Sequence, residues 1–229
     1  MKEMVAGEVA KALSKKMLPE NIIKAHECGL IHYHDLDQSP LFPFFNCCLV
    51  NLEDMLTKGF EIGNAQIEPP NSIATAAAIT CQIIAQIASH QYGGVSINRI
   101  DEVLAPYVTL SYKKHLSIGL AECENRDKAV IYATNRTKKE VEDACQSMEY
   151  EVNTLFTSQG QTPFVTFGFG LGTSWQAKEI QMGLLKQRIK GLGRQRKTAI
   201  FPKLVYMVDD KINAKDGDPN YHDVRKLAI

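Results

Sequence analysis

Between Gly29 and Cys48 the sequence gathers His32, His34, Asp35, Asp37, Asn46, Cys47 and Cys48 among apolar and aromatic neighbours. Groups of this kind are costly to bury without a use. His32 and His34 are two apart, so on a strand they share one face. Such a pair could hold zinc or iron, with Asp35 or Asp37 orienting a ring nitrogen. No HExxH or comparable motif supplies further ligands, so structural or substrate-contacting histidines are the competing reading. Adjacent cysteines in an extended segment point to opposite faces, so only one of Cys47 and Cys48 enters a site. Cys47, beside the Asn46 amide, is the candidate reactive thiol. Cys48 reads as a small buried hydrophobe, as do Cys28, Cys81, Cys123 and Cys145. A third stretch, Gln159–Ser174, runs strand, glycine loop, helix start, which resembles an anion cradle at a helix N-terminus. Its G-x-G-x-G spacing and the lack of GK[ST] argue against Rossmann and P-loop readings, and a close-packed turn is the alternative.

The elements that must position these groups alternate between helix and strand. Residues 2–17 form an amphipathic helix with Val5, Val9 and Leu13 four apart, and a second runs from Pro19 to Glu27. Leu30–His34 reads as a short strand, Phe44–Leu49 as an extended segment and Asn51–Lys58 as a short helix closed by Gly59. Ser72 caps a helix to about His90 that is apolar almost all round apart from Gln82 and Gln86, the pattern of a buried helix. Residues 99–122 are helical, with Pro106 implying a kink or restart. Thr137-Lys-Lys-Glu140 has the form of a capping box opening a helix to Phe156. Pro163–Phe169 and Ile200–Val208 read as strands, 174–190 as a helix, and Pro219 as the start of another. Glu124–Arg136 and Asp209–Asn220 look like linkers, without marking a domain boundary.

Composition narrows the partners. The 229 residues carry 26 lysines and arginines against 26 aspartates and glutamates, so no overall field points to nucleic acid or an anionic membrane. The six cysteines show no CxxC pairing, and neither a leader nor a run long enough to span a membrane is evident. A reduced, cytoplasmic protein is the expectation.

Several motifs occur together and in order: His32-Tyr-His34-Asp35-Leu-Asp37, Pro43-Phe-Phe-Asn46-Cys47-Cys48-Leu, Gly63 to Pro70, Ala85 to Gly94, Gln161-Thr-Pro-Phe-Val-Thr-Phe-Gly168 and Lys197-Thr-Ala-Ile-Phe-Pro-Lys203. The chain resembles, over nearly its whole length, the anaerobic (class III) ribonucleoside-triphosphate reductases of the glycyl radical enzyme family. The resemblance implies an α/β fold, helix-rich, of which residues 1–229 are a single partial domain: the N-terminal half of a ten-stranded α/β barrel. It implies reduction of ribonucleoside triphosphates to deoxyribonucleotides by thiyl and glycyl radical chemistry, with formate as reductant. By motif match Cys47 is the second redox cysteine, on a barrel strand. His32 and His34 match paired cavity histidines, and Asn46, Gln161 and Thr162 match substrate-side contacts.

The resemblance also implies ATP or dNTP effectors at dimer-interface helices around 99–122 and 137–156. A separate radical-SAM iron–sulfur activating enzyme, and a homodimer or complementing C-terminal fragment, would be the protein partners. The ATP-binding cone, the finger loop with the thiyl cysteine, the glycyl radical segment and the cysteine-rich zinc site have no match in this sequence, so the chain alone is expected to be inactive. Two other classes fit the residues: a metal-dependent hydrolase using His32 and His34, and a non-catalytic nucleotide-binding or dimerisation module.

Overall fold

Helix α4 (Ile73–Ala88) begins at Ser72, whose Oγ accepts the Thr75 N–H at 3.2 Å, and nine of its residues are buried. It is the buried helix its composition predicts. The computed structural model describes residues 2–42, 45–91, 93–157 and 160–229. Around α4 lie α5 (Ile100–Glu122), α6 (Arg126–Thr154) and α7 (Trp175–Lys190), with α6 packed against each of the others. One polar chain ties three of these helices. The Ile73 N–H donates to Ser111 Oγ at 3.0 Å, Ser111 donates to Glu140 at 3.0 Å, and Glu140 pairs with His115 at 2.7 Å.

The helical layer covers one face of a parallel sheet in the order β1 (Cys48–Leu49), β4 (Val95–Ile97), β5 (Val165–Phe169), β6 (Lys203–Tyr206). Strand parity divides its residues. Val95, Ile97, Val165, Phe167 and Phe169 face the core and are fully buried. The opposite row, Leu49–Ser96–Thr166–Lys203, is aligned by the register and lies on the open face. Helix α3 (Leu52–Lys58), capped by Asn51, and a hairpin of β2 (Phe60–Ile62) with β3 (Ala65–Ile67) link β1 to α4. Helices α1 (Lys2–Met17) and α2 (Glu20–Glu27) precede β1; a π-helical turn (Tyr221–Arg225) and α8 (Lys226–Ala228) close the chain.

Several sequence expectations change. Leu30–His34 is not a strand: the Leu30 and Ile31 N–H groups both bond to the Ala25 carbonyl, winding the segment back onto the end of α2. The 137–156 helix starts earlier, at Asn125, whose side chain accepts the Lys128 N–H at 2.9 Å. Thr137 is a buried mid-helix residue whose hydroxyl bonds back to the Ala133 carbonyl at 2.7 Å, so Glu124–Arg136 is largely helix and no linker. Helix α5 runs unbroken through Pro106 without a restart. Asp209–Asn220 is no linker either, because Asn213 and Asn220 within it are fully buried. Helix α1 buries Ala10 and Ser14 and exposes Val5, Val9, Leu13 and Met17, the reverse of what its periodicity suggests. Phe44, where the extended segment was expected to begin, lies outside the described residues; its visible part is the bridge Phe45–Gln91 followed by β1.

Candidate active site at the N-terminal edge of the sheet

Three segments enter the sheet side by side. The Cys48 N–H donates to the Gly94 carbonyl at 3.0 Å and the Val95 N–H to the Phe164 carbonyl at 2.8 Å. Cys47, Gly94 and Phe164 are therefore level at the N-terminal edge, each one residue before its strand's first pairing. Cys48 packs against the core, so parity turns Cys47 to the open face, where it is exposed. Its Sγ accepts the Gly94 N–H at 3.4 Å. Phe164 and Phe201 stack beside this row with ring centroids 5.3 Å apart.

Gly93 fixes the approach. Its N–H donates to the Asn46 carbonyl at 2.6 Å, and a Cβ there would lie 2.7–2.8 Å from Asn46 Oδ1, Asn46 O and Cys47 Sγ. No side chain fits without displacement. On the other side, Phe45, Cys47, Cys48, Leu49, Gln86, Ile87, His90 and Gln91 line a cleft of 540 Å³. Gln86 and His90 were not assigned to the site from sequence, although Gln86 stood out as a polar break in an otherwise apolar helix. Gln161 and Thr162 lie just before β5 at this same edge, Gln161 exposed and Thr162 half-buried. Asn46, Cys47, Gln161 and Thr162 thus share one end of the sheet.

His32 and His34 adjoin each other, with Nε2 of the first 3.4 Å from Nδ1 of the second, although they sit in a turn and not on a strand. His34 Nε2 reaches Asp35 at 3.3 Å. His26, which the sequence reading passed over, stacks on His32 at 5.8 Å and accepts the Tyr33 N–H. Among the described residues no hydrogen bond or ring contact joins this trio to Cys47. Nor is any group of three or more His, Cys, Asp or Glu placed to hold a metal ion among those residues. The hydrolase reading gains no third ligand.

The remaining cysteines divide by burial. Cys81 and Cys145 are buried as expected; burial pushes the Cys145 thiol up to about 12 and raises the Cys81 thiol as well. Cys123 is half-buried, and Cys28 is exposed at the end of α2, contrary to expectation. The glycine loop after β5 resolves as a close-packed turn: the Gly170 and Gly172 N–H groups that would cradle an anion donate to buried Asp101 Oδ2 at 3.2 and 3.1 Å. A second cleft, 430 Å³ in volume, opens between α4, α5 and α6; Lys114, Arg136 and the Lys139–Asp143 ion pair line it with Glu151 around the His115–Glu140 pair. No helix among the described residues is long and apolar enough to cross a membrane.

Comparison with known proteins gives the family and the fold. The sequence profile of the family described as anaerobic ribonucleoside-triphosphate reductase matches residues 1–229. The protein of that name from Escherichia coli (strain K12) is 60% identical over 229 residues, and the one from Enterobacteria phage T4 is 54% identical over 228. This chain is covered completely in both, but it spans only 32% and 37% of their lengths. The crystal structure of the anaerobic ribonucleotide reductase from Thermotoga maritima in complex with dATP and CTP shares the fold, with TM-score 0.54 at 15% identity over 83% of this chain and 34% of that one.

Proposed function

Because the chain belongs to the anaerobic ribonucleoside-triphosphate reductase family, we propose that it forms the N-terminal wall of that enzyme's catalytic barrel and carries the second redox thiol, Cys47. The observation that carries this reading is the turning of Cys47 onto the open sheet face at an edge shared with Asn46, Gln161 and Thr162. A ribonucleoside triphosphate lying over this face meets the Cys47 thiol, amide groups from Asn46 and Gln161, and the Thr162 hydroxyl. Cys47 takes part in reducing the 2′ position as its hydroxyl leaves as water. His32 and His34 contact substrate from the same cavity once the barrel is closed. A closed wall of strands and helices excludes water from radical intermediates, and the open face is the side that the rest of the barrel covers.

The other partners follow from the same reading. The glycyl radical, the structural zinc and the thiyl cysteine belong to other segments of the whole enzyme, the radical is installed by an iron–sulfur activating enzyme, and formate supplies the electrons. ATP or dNTP effectors bind along α5 and α6, where the cleft beside His115 offers Lys114 and Arg136 in its lining. The assembly is a cytoplasmic dimer.

The test is a chimaera in which this chain replaces the matching segment of the Escherichia coli relative, activated anaerobically and assayed for CTP reduction with formate. Activity that falls to background on Cys47→Ser is the expected result. A folded chimaera that reduces CTP equally well with Cys47→Ser removes the redox role, and a folded but inactive unsubstituted chimaera removes the functional reading itself.

A further inference from the structure

At the opposite, C-terminal edge of the sheet, the loop after β5 is held by side chains without any exposure. Asp101, Gln181 and Asn220 are each 0% exposed. Asp101 Oδ2 accepts from the Gly170 and Gly172 N–H groups and from Gln181 Nε2. Gln181 Nε2 also donates to the Gly172 carbonyl at 2.9 Å. Asn220 Nδ2 donates to the Gly170 and Gly172 carbonyls at 3.3 and 2.8 Å. These bonds use the nitrogen of each amide and so fix which end is oxygen. The other ends, Gln181 Oε1 and Asn220 Oδ1, are buried and unpartnered, and so is Asp101 Oδ1.

All three atoms are acceptors, and each belongs to a side chain whose other polar atom grips Gly170–Gly172. Buried carboxylates are paired with a cation or coordinate a metal. Arg99, two residues from Asp101, is turned instead to Glu102 on the surface, and Asp101 enters no ion pair among the described residues. Leaving one buried acceptor unmade already costs about 1–3 kcal/mol.

We propose that Asp101 Oδ1, Gln181 Oε1 and Asn220 Oδ1 bind a dehydrated monovalent cation, potassium or sodium. An oxygen-only donor set selects a hard cation. One carboxylate with two neutral amides balances a single positive charge. Magnesium keeps several waters and calcium gathers more carboxylate oxygens, so neither suits a site without exposure. A water molecule has two hydrogens for three acceptors and brings no positive charge to the carboxylate. The ion ties the start of α5, the β5–α7 loop, α7 and the segment before the π-helical turn, away from the Cys47 edge.

Thermal unfolding of this chain in potassium, sodium and tetramethylammonium chloride at equal ionic strength tests the assignment. A saturable rise in Tm with potassium or sodium is expected, the unfolding constant falling about 100-fold at a hundred times Kd. Asp101→Asn abolishes the dependence. Because that variant could fail to fold, crystals of the unsubstituted chain soaked in thallium(I) give a second reading, with an anomalous peak expected beside all three oxygens. Equal Tm values in the three salts, density there without a thallium signal, or stabilisation by magnesium or calcium alone would overturn the proposal.

Discussion

Alanine at position 93 puts a methyl carbon 2.7 Å from Asn46 Oδ1 and 2.8 Å from both Asn46 O and Cys47 Sγ. Contacts this short do not persist, so the neighbours must move. The Asn46 amide and the Cys47 thiol are exposed and can turn aside. The Asn46 carbonyl cannot, because it accepts the N–H of Gly93 itself at 2.6 Å. The strain therefore falls on the backbone where β1 meets β4, beside the Cys48 N–H bond to Gly94. Overpacking of this kind costs about 1–3 kcal/mol. A chain of this size loses roughly 2–4 °C of Tm per kcal/mol, so Gly93→Ala should lower Tm by about 2–12 °C. The alkylation rate of Cys47, measured in a Cys28→Ser background, should change several-fold as the Gly94 N–H to Sγ contact is disturbed. Gly7→Ala is the control: its methyl meets nothing nearer than Asp37 Cβ at 3.8 Å. A helix interior prefers alanine over glycine by about 0.8–1.0 kcal/mol, so this variant should be more stable. An unchanged Tm and an unchanged Cys47 rate in Gly93→Ala would refute the close-approach argument.

The native thiols should alkylate in order of exposure, Cys28 and Cys47 first and Cys81 and Cys145 only after unfolding; peptide mass spectrometry that finds Cys145 labelled early contradicts the burial assignment. Asn125→Ala should cost about 0.5–2 kcal/mol in denaturant unfolding, as the loss of a helix N-cap does, and a neutral result would return the start of α6 to a later residue. Burial holds Glu149 above the usual carboxylate range, against the opposing pull of Arg188. Its contribution to stability is complete below the ordinary value of 4.5 and is lost as pH rises through the raised folded value. Glu149→Gln should therefore flatten the decline in unfolding free energy above that pH, and a wild-type curve that climbs relative to the variant would contradict the sign.

What the sequence made legible was local. Ser72, Ser174 and Asn51 mark true helix starts because each side chain accepts an N–H three residues ahead. The parity of Cys47 and Cys48 follows from strand geometry alone. Thr137 misled because a capping box and a mid-helix threonine bonded back to Ala133 look the same as letters. Leu30–His34 has strand-forming residues but no strand pairs with it among the described residues, and α2 captures its first N–H groups. Strand β4, only Val95–Ile97, is too short for alternation to reveal. The orientation of α1 depended on tertiary contact: Gly7 lies against Asp37, and Ala10 and Ser14 on the same helix face are buried. For the same reason Gly93 gave no sign of its role, since its neighbours Asn46 and Cys47 are far away in sequence.

The strand order β1–β4–β5–β6 also bears on how the chain reaches this state. Helices α5 and α6 are separated by only residues 123–125 and can meet by local closure. Every ladder of the parallel sheet, in contrast, joins distant segments: Cys48 with Val95, Val95 with Val165, Thr166 with Lys203. Non-local parallel pairing is slow because loops must close before the contacts that reward them exist. Three-residue β4 pairs on both sides, so it is the keystone. Until it seats, β1 and β5 have no common neighbour, and the edge that presents Cys47 does not exist.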